Sequence, residues 1–124
     1  MSLQKPNLRA SFVLGADNRP EYVERDGLRH YKIRLCVEGA PVESASVTYR
    51  LHSSYWDPVR EVFDPEHSFA ENFTSYGDFN VSASVSGSSR AGLILDGQLS
   101  DLLEASHGNS DKAIADAITD IRDH

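Results

Sequence analysis

The chain is short of several things at once, and each shortage removes a class of protein. It holds one cysteine, Cys36, one methionine and one tryptophan in 124 residues. A single thiol excludes an internal disulfide and fits a reducing compartment, so a cytoplasmic location is expected. No segment is apolar for long enough to span a bilayer, and the opening MSLQKPNL lacks the apolar stretch of a secretory signal. Basic residues are outnumbered, 12 Lys and Arg against 19 Asp and Glu, for a net charge of -7. A nucleic-acid partner needs a basic surface and is not expected; nor is a membrane. The nucleotide-cradling patterns GxxxxGK[ST] and GxGxxG are missing, as is the GxSxG of a hydrolase elbow. The five histidines, His30, His52, His67, His107 and His124, are scattered without zinc spacing, so neither metal nor cofactor is expected.

What the chain does have is period-two alternation over its first three quarters. Ala10, Phe12 and Leu14 share a side in RASFVLG, as do Tyr31, Ile33, Leu35 and Val37 in LRHYKIRLCVEG. In ESASVTYRLH the inward set is Ala45, Val47, Tyr49 and Leu51, and Ser44, Ser46, Thr48, Arg50 and His52 face outward. Phe79, Val81, Ala83 and Val85 continue the pattern, followed by Ala91, Leu93 and Leu95. One apolar and one polar face per strand marks antiparallel sheets packed on a single core. Turn residues fill ADNRP, RDG, EGAP and SGSS. YWDPVREVFDPEHS is too long for a hairpin turn and reads as an irregular crossing or a short extra strand.

The tail changes period. Leu99, Leu102 and Leu103 stand at helical spacing, with Gly108 as a stop. A second helix is expected with Ser110 as N-cap, Asp111 in its first turn and a stripe of Ala113, Ile114, Ala117, Ile118 and Ile121.

Two rim segments stand out, LHSSYWDP from Leu51 and SYGDF from Ser75. Each puts groups that stack and hydrogen-bond where a sandwich usually has plain turns. The stretch Val47 to Val85, VTYRLHSSYWDPVREVFDPEHSFAENFTSYGDFNVSASV, resembles the YEATS domain. The family pattern is a strand ending in Leu-His-x-Ser-aromatic, then x-x-Pro-x-Arg, with a Gly-aromatic-Gly-Glu-Phe-like segment some twenty residues later. Here these are Leu51 to Arg60 and Ser75 to Phe79, and DGLRHYKIRLCVEG looks like the segment ahead of the family's second long strand. The likeness is closest to prokaryotic YEATS-like domains. It implies an all-β fold, an immunoglobulin-like antiparallel β-sandwich over residues 1–97, with one or two C-terminal α-helices over 98–124 packed on it or on a partner.

The resemblance also implies a non-enzymatic module that reads acylated lysine in a peptide or protein. The implied ligand-binding residues are His52, Ser54, Tyr55, Ser75, Tyr76, Gly77, Phe79 and Leu28. The Ser54 hydroxyl would meet the ligand amide and the Tyr76 N–H its acyl oxygen. His52 would buttress the slot or bond to Ser54, and Gly77 would admit the ligand close to the loop. Ser75 stands where the family usually has glycine, and Leu28 where an aromatic is common. An acylated lysine is neutral, so flat walls rather than carboxylates suit it, each good face adding ~0.5–1.5 kcal/mol beyond area burial. Taken singly, each residue has a plainer reading: Trp56 as a cap on the core, Phe79 as core, and Arg60 paired with an acid or spanning the loop. The rival function is a structural or signalling module with a degenerate slot, acting through protein–protein contacts. His52, Ser54 and Asp57 also invite a hydrolase reading, but residues two apart on an extended end rarely place Oγ on the imidazole nitrogen.

Overall fold

The computed structural model describes residues 6–39, 44–87, 93–108 and 111–124. Two antiparallel sheets face each other. The first holds β1 (Asn7–Phe12), β2 (Tyr22–Arg25), β3 (Leu28–Glu38) and β6 (Glu71–Ser75), with β3 at its centre. The second runs β5 (Val59–Val62), β4 (Ser44–Arg50), β7 (Asn80–Gly87) and β8 (Leu93–Gln98) in spatial order. The β2–β3 hairpin turns on Asp26 and Gly27, both at positive φ (53° and 77°), the conformation that an Asp-Gly pair takes most readily.

The alternation does what it implies. Ala10, Phe12, Tyr31, Ile33, Leu35, Val37, Val47, Tyr49, Val81, Ala83 and Val85 all point into one core. Fully buried Ile33 and Leu35 each contribute ~1.5–3 kcal/mol by leaving water. The pattern slips in a few places. Leu14, expected inward, is partly exposed and sits in an isolated bridge with Pro20. Ser46, expected outward, is buried, because a register shift between Ser44 and Ser46 and a hydrogen bond to Glu61 (3.2 Å) fold it in. Ala91 and the SGSS turn beyond Gly87 fall outside the described residues, as do the last two residues of EGAP. The long Tyr55–Ser68 stretch contains both a short strand, β5, and a 3-10 turn at Pro65–His67.

Two helices complete the core. α1 (Leu99–His107) follows β8 directly and lies on β1, covering an edge strand; Leu99, Ser100 and Leu103 are buried. Gly108 ends it at φ 66° with its N–H on the Glu104 carbonyl (2.7 Å). α2 (Lys112–Arg122) buries Ile114, Ala117, Ile118 and Ile121. Its N-cap is Asp111, whose side chain accepts from the Ala113 N–H at 2.8 Å, so the cap falls one residue after the expected Ser110. The Tyr31 hydroxyl donates to Asp120 (2.8 Å) and ties α2 to β3. Burial, with that hydrogen bond, pushes the phenol's pKa up to about 12. No helix among the described residues is long and apolar enough to cross a membrane.

Candidate functional site

The first rim segment is a loop closed at its base by the Leu51 N–H donating to the Pro58 carbonyl (2.7 Å). Leu51, one residue past β4, is the last core residue before the loop; from His52 the chain turns out to solvent. The Ser54 N–H donates to His52 Nδ1 (3.1 Å), which makes that nitrogen an acceptor. Ser54 Oγ lies 2.8 Å from the same nitrogen and is therefore the donor there. Serine and histidine two residues apart do meet, contrary to expectation, because the chain turns at Ser54 instead of continuing extended. No hydrogen bond joins His52 to a carboxylate among the described residues, so the pair has no orienting acid.

Tyr55 bends back. Its ring packs on Phe73 (5.9 Å) and Phe79 (5.7 Å), and its hydroxyl donates to the Thr74 carbonyl at 2.5 Å. Burial raises the phenol's pKa. Trp56, next in sequence, does not cap the core; it is fully exposed. Among the described residues Arg60 forms no ion pair: its guanidinium donates to the Asp57 carbonyl (3.0 Å) and the Asn72 carbonyl (2.9 Å), spanning from the loop to β6 of the opposite sheet.

The second rim segment links β6 to β7. Ser75 is buried, and its hydroxyl both donates to the Gly77 carbonyl (2.7 Å) and accepts the Gly77 N–H (3.2 Å). That pair of hydrogen bonds across two residues makes a tight turn with Tyr76 at its tip, 46% exposed. The serine in place of the family's usual glycine thus gives the loop its own clasp. The Tyr76 ring stands against His30, 5.1 Å away. Phe79 meets His52 edge-on at 6.1 Å as well as Tyr55, so the two rim segments do lie side by side.

Seven of the eight expected residues fall on these two adjoining loops: His52, Ser54, Tyr55, Ser75, Tyr76, Gly77 and Phe79. Leu28 does not join them. It lines a groove of about 800 Å3 between the β2–β3 hairpin and α2, with Tyr22, Arg29, Tyr31, Asp116 and Asp120. Two residues further along the same face of β3, His30 is the side chain that reaches Tyr76. Alternation marked His30 as outward-facing, but nothing in the pattern distinguished it from Leu28. Asp78, inside the second motif, also escaped notice. Its carboxylate accepts from the Ser100 N–H (3.0 Å) and from the Ser100 hydroxyl (2.7 Å). Among the described residues, no cluster of His, Cys, Asp and Glu could hold a metal ion.

A two-sheet sandwich with paired, aromatic-bearing loops at one rim defines an immunoglobulin-like domain. Residues 31–99 match the prokaryotic YEATS domain, and the chain belongs to that family. Solved structures agree on the fold. The yeast Yaf9 YEATS domain recognising an H3K122suc peptide superposes with a TM-score of 0.54 at 17% identity, covering 77% of this chain and 71% of that one. The yeast AF-9 homologue Yaf9 gives 0.54 at 20% identity over 76% and 69%. The Yaf9 YEATS domain bound to H3K27ac gives 0.51 at 18% identity over 77% and 73%. Among curated proteins, none matches the sequence.

Proposed function

We propose that this domain is a non-enzymatic binding module that recognises an acylated lysine side chain, or a similar neutral acyl-amide group, at the two adjoining rim loops. The observation that carries this reading is the Ser54 hydroxyl, held on His52 Nδ1 beside Phe79, with the ring of Tyr76 presented on a clasped turn in the neighbouring loop. In the proposed complex the ligand amide meets Ser54 Oγ and the acyl oxygen meets the Tyr76 N–H. Tyr76 supplies the exposed flat face, worth ~0.5–1.5 kcal/mol beyond area burial. Tyr55 and Phe79 form the base, their rings already packed together. Yaf9 YEATS domains have been solved with H3K122suc and H3K27ac peptides, which supports a modified peptide as the kind of partner. Cys36 as the lone thiol supports a reducing, cytoplasmic setting.

A second reading follows from Tyr55. Its ring is packed between Phe73 and Phe79 and its hydroxyl is committed to Thr74, so it is not a free wall. On that reading the slot is degenerate, and the domain acts through protein–protein contacts of the sandwich and the C-terminal helices.

Titration of an acyl-lysine peptide panel against the protein and against Tyr76→Ala separates the two. The reader function is expected to give saturable binding to at least one acylated peptide, none to its unmodified form, and at least a ten-fold loss in Tyr76→Ala. Failure of every peptide, or binding that survives the substitution unchanged, overturns it and leaves the second reading.

A further inference from the structure

The turn that presents Tyr76 is held from behind by the C-terminal helices. Each of the three residues after Tyr76 touches the segment beyond β8. At Gly77, an added Cβ would lie 3.2 Å and 3.3 Å from the backbone carbon and oxygen of His124, so the loop and the second residue after α2 are in close contact. At Asp78, both carboxylate oxygens are taken by Ser100, one by its N–H and one by its hydroxyl. At Phe79, the carbonyl accepts the Leu99 N–H (2.9 Å).

Leu99 and Ser100 are the first two residues of α1, and Gln98 ahead of them makes no side-chain cap. The N–H groups of a first helical turn have no acceptor inside the helix. Here the acceptors come from the loop, and a carboxylate is the group that the positive end of the helix favours most. Ser100 is 2% exposed, so water cannot readily replace Asp78 as its partner. The loop therefore caps α1, and α1 in turn fixes the loop.

We propose that Asp78 is a positioning residue of the ligand site: through Ser100 it anchors the Tyr76 turn to α1, so that the helical pair sets the height and tilt of the Tyr76 ring. This rests on the acyl-amide reading of the site. The ligand would be gripped by residues from β4–β5 and β6–β7, but one of its two walls is stationed by the C-terminal helices.

The test uses the full chain with Asp78→Ala, Asp78→Asn and, as control, Asp111→Ala, which removes the cap of α2 and touches no part of the loop. In the free protein, Asp78→Ala is expected to shift the Tyr76 and Gly77 amide resonances and to speed exchange of the Ser100 amide at least ten-fold. Asp78→Asn keeps a carbonyl oxygen for the Ser100 N–H and is expected to restore most of both. With a peptide that the wild type binds, Asp78→Ala weakens affinity at least five-fold, and Asp111→Ala leaves it within two-fold at a similar loss of thermal stability. Unmoved Tyr76 and Gly77 resonances in Asp78→Ala, or an equal loss of affinity in Asp111→Ala, overturns the proposal. If the wild type binds no acylated peptide, the acyl-amide reading falls, and the amide shifts and exchange rates still decide whether Asp78 positions the turn.

Discussion

At the scale of single residues, the clearest dependence lies in the core. Tyr49 is fully buried, and its hydroxyl donates to the Phe69 carbonyl at 2.6 Å. Phe69 and Ser68 both sit at positive φ, 56° and 55°, a region that side-chain-bearing residues adopt at a cost. One buried hydrogen bond thus helps to hold a strained turn. Tyr49→Phe removes the donor and strands the carbonyl; a loss of ~1–3 kcal/mol is expected in urea unfolding, with the fold retained. The burial of Tyr49 was legible in the alternation, but its partner, 20 residues away, was not. The partner of Arg60, the Asn72 carbonyl, was equally out of sight, while Ser46, expected outward, is buried and Trp56, expected to cap the core, is wholly exposed. Periodicity says which way a side chain points on its strand. It does not say what the opposite sheet or the next loop brings to meet it. Ser54 on His52 is a divided case: the resemblance allowed that bond, the two-residue spacing argued against it, and a turn specific to this loop supplied the geometry.

At the scale of elements, the long periodic segments were legible, and the short ones less so. β3 and β7 carry four or three inward positions each, and α2 shows its apolar stripe directly. β2 and β6, four and five residues long, carry too few inward positions to declare a period. The contact of α1 with β1 was also beyond reach of the sequence. It is made by His107, which accepts the Phe12 N–H on Nε2 (2.9 Å) and stacks on the Phe12 ring at 5.5 Å. Burial, and secondarily Arg9 of β1, lower the pKa of His107 below its usual value. The neutral ring is therefore favoured in the fold. Its contribution is fully present above about pH 6.5, the unfolded-state value, and is lost as pH falls through the lower folded value. Chemical unfolding is expected to move to lower urea between pH 7.5 and pH 5.5, and His107→Gln is expected to lose less over that window. An NMR titration placing the His107 pKa at or above 6.5 would contradict this.

At the scale of the whole molecule, the core is continuous. Leu99, Leu103, Ile114, Ala117, Ile118 and Ile121 belong to the same buried cluster as Ile33, Leu35, Val47 and Tyr49. We therefore treat sandwich and helices as one folding unit, and expect heat or urea to melt them together: helical and near-ultraviolet circular dichroism should report one midpoint. Two separated midpoints would show that the helices dock as an independent layer. The sandwich and both helices were legible as elements, because each writes its own period. That one rests on the other was not, since an amphipathic stripe names no partner. The paired loops were legible because two spaced motifs carried them; the partner of Tyr76 and the anchor behind its turn lie on elements remote in sequence. Trp56 is the only indole in the chain and stands wholly in water four residues from His52 and two from Ser54. Its fluorescence should already be red-shifted and open to iodide quenching in the native state, and unfolding should change it little. A guest arriving on that loop, by contrast, would shade the ring and move its emission to the blue, so the native protein carries its own optical reporter of occupancy.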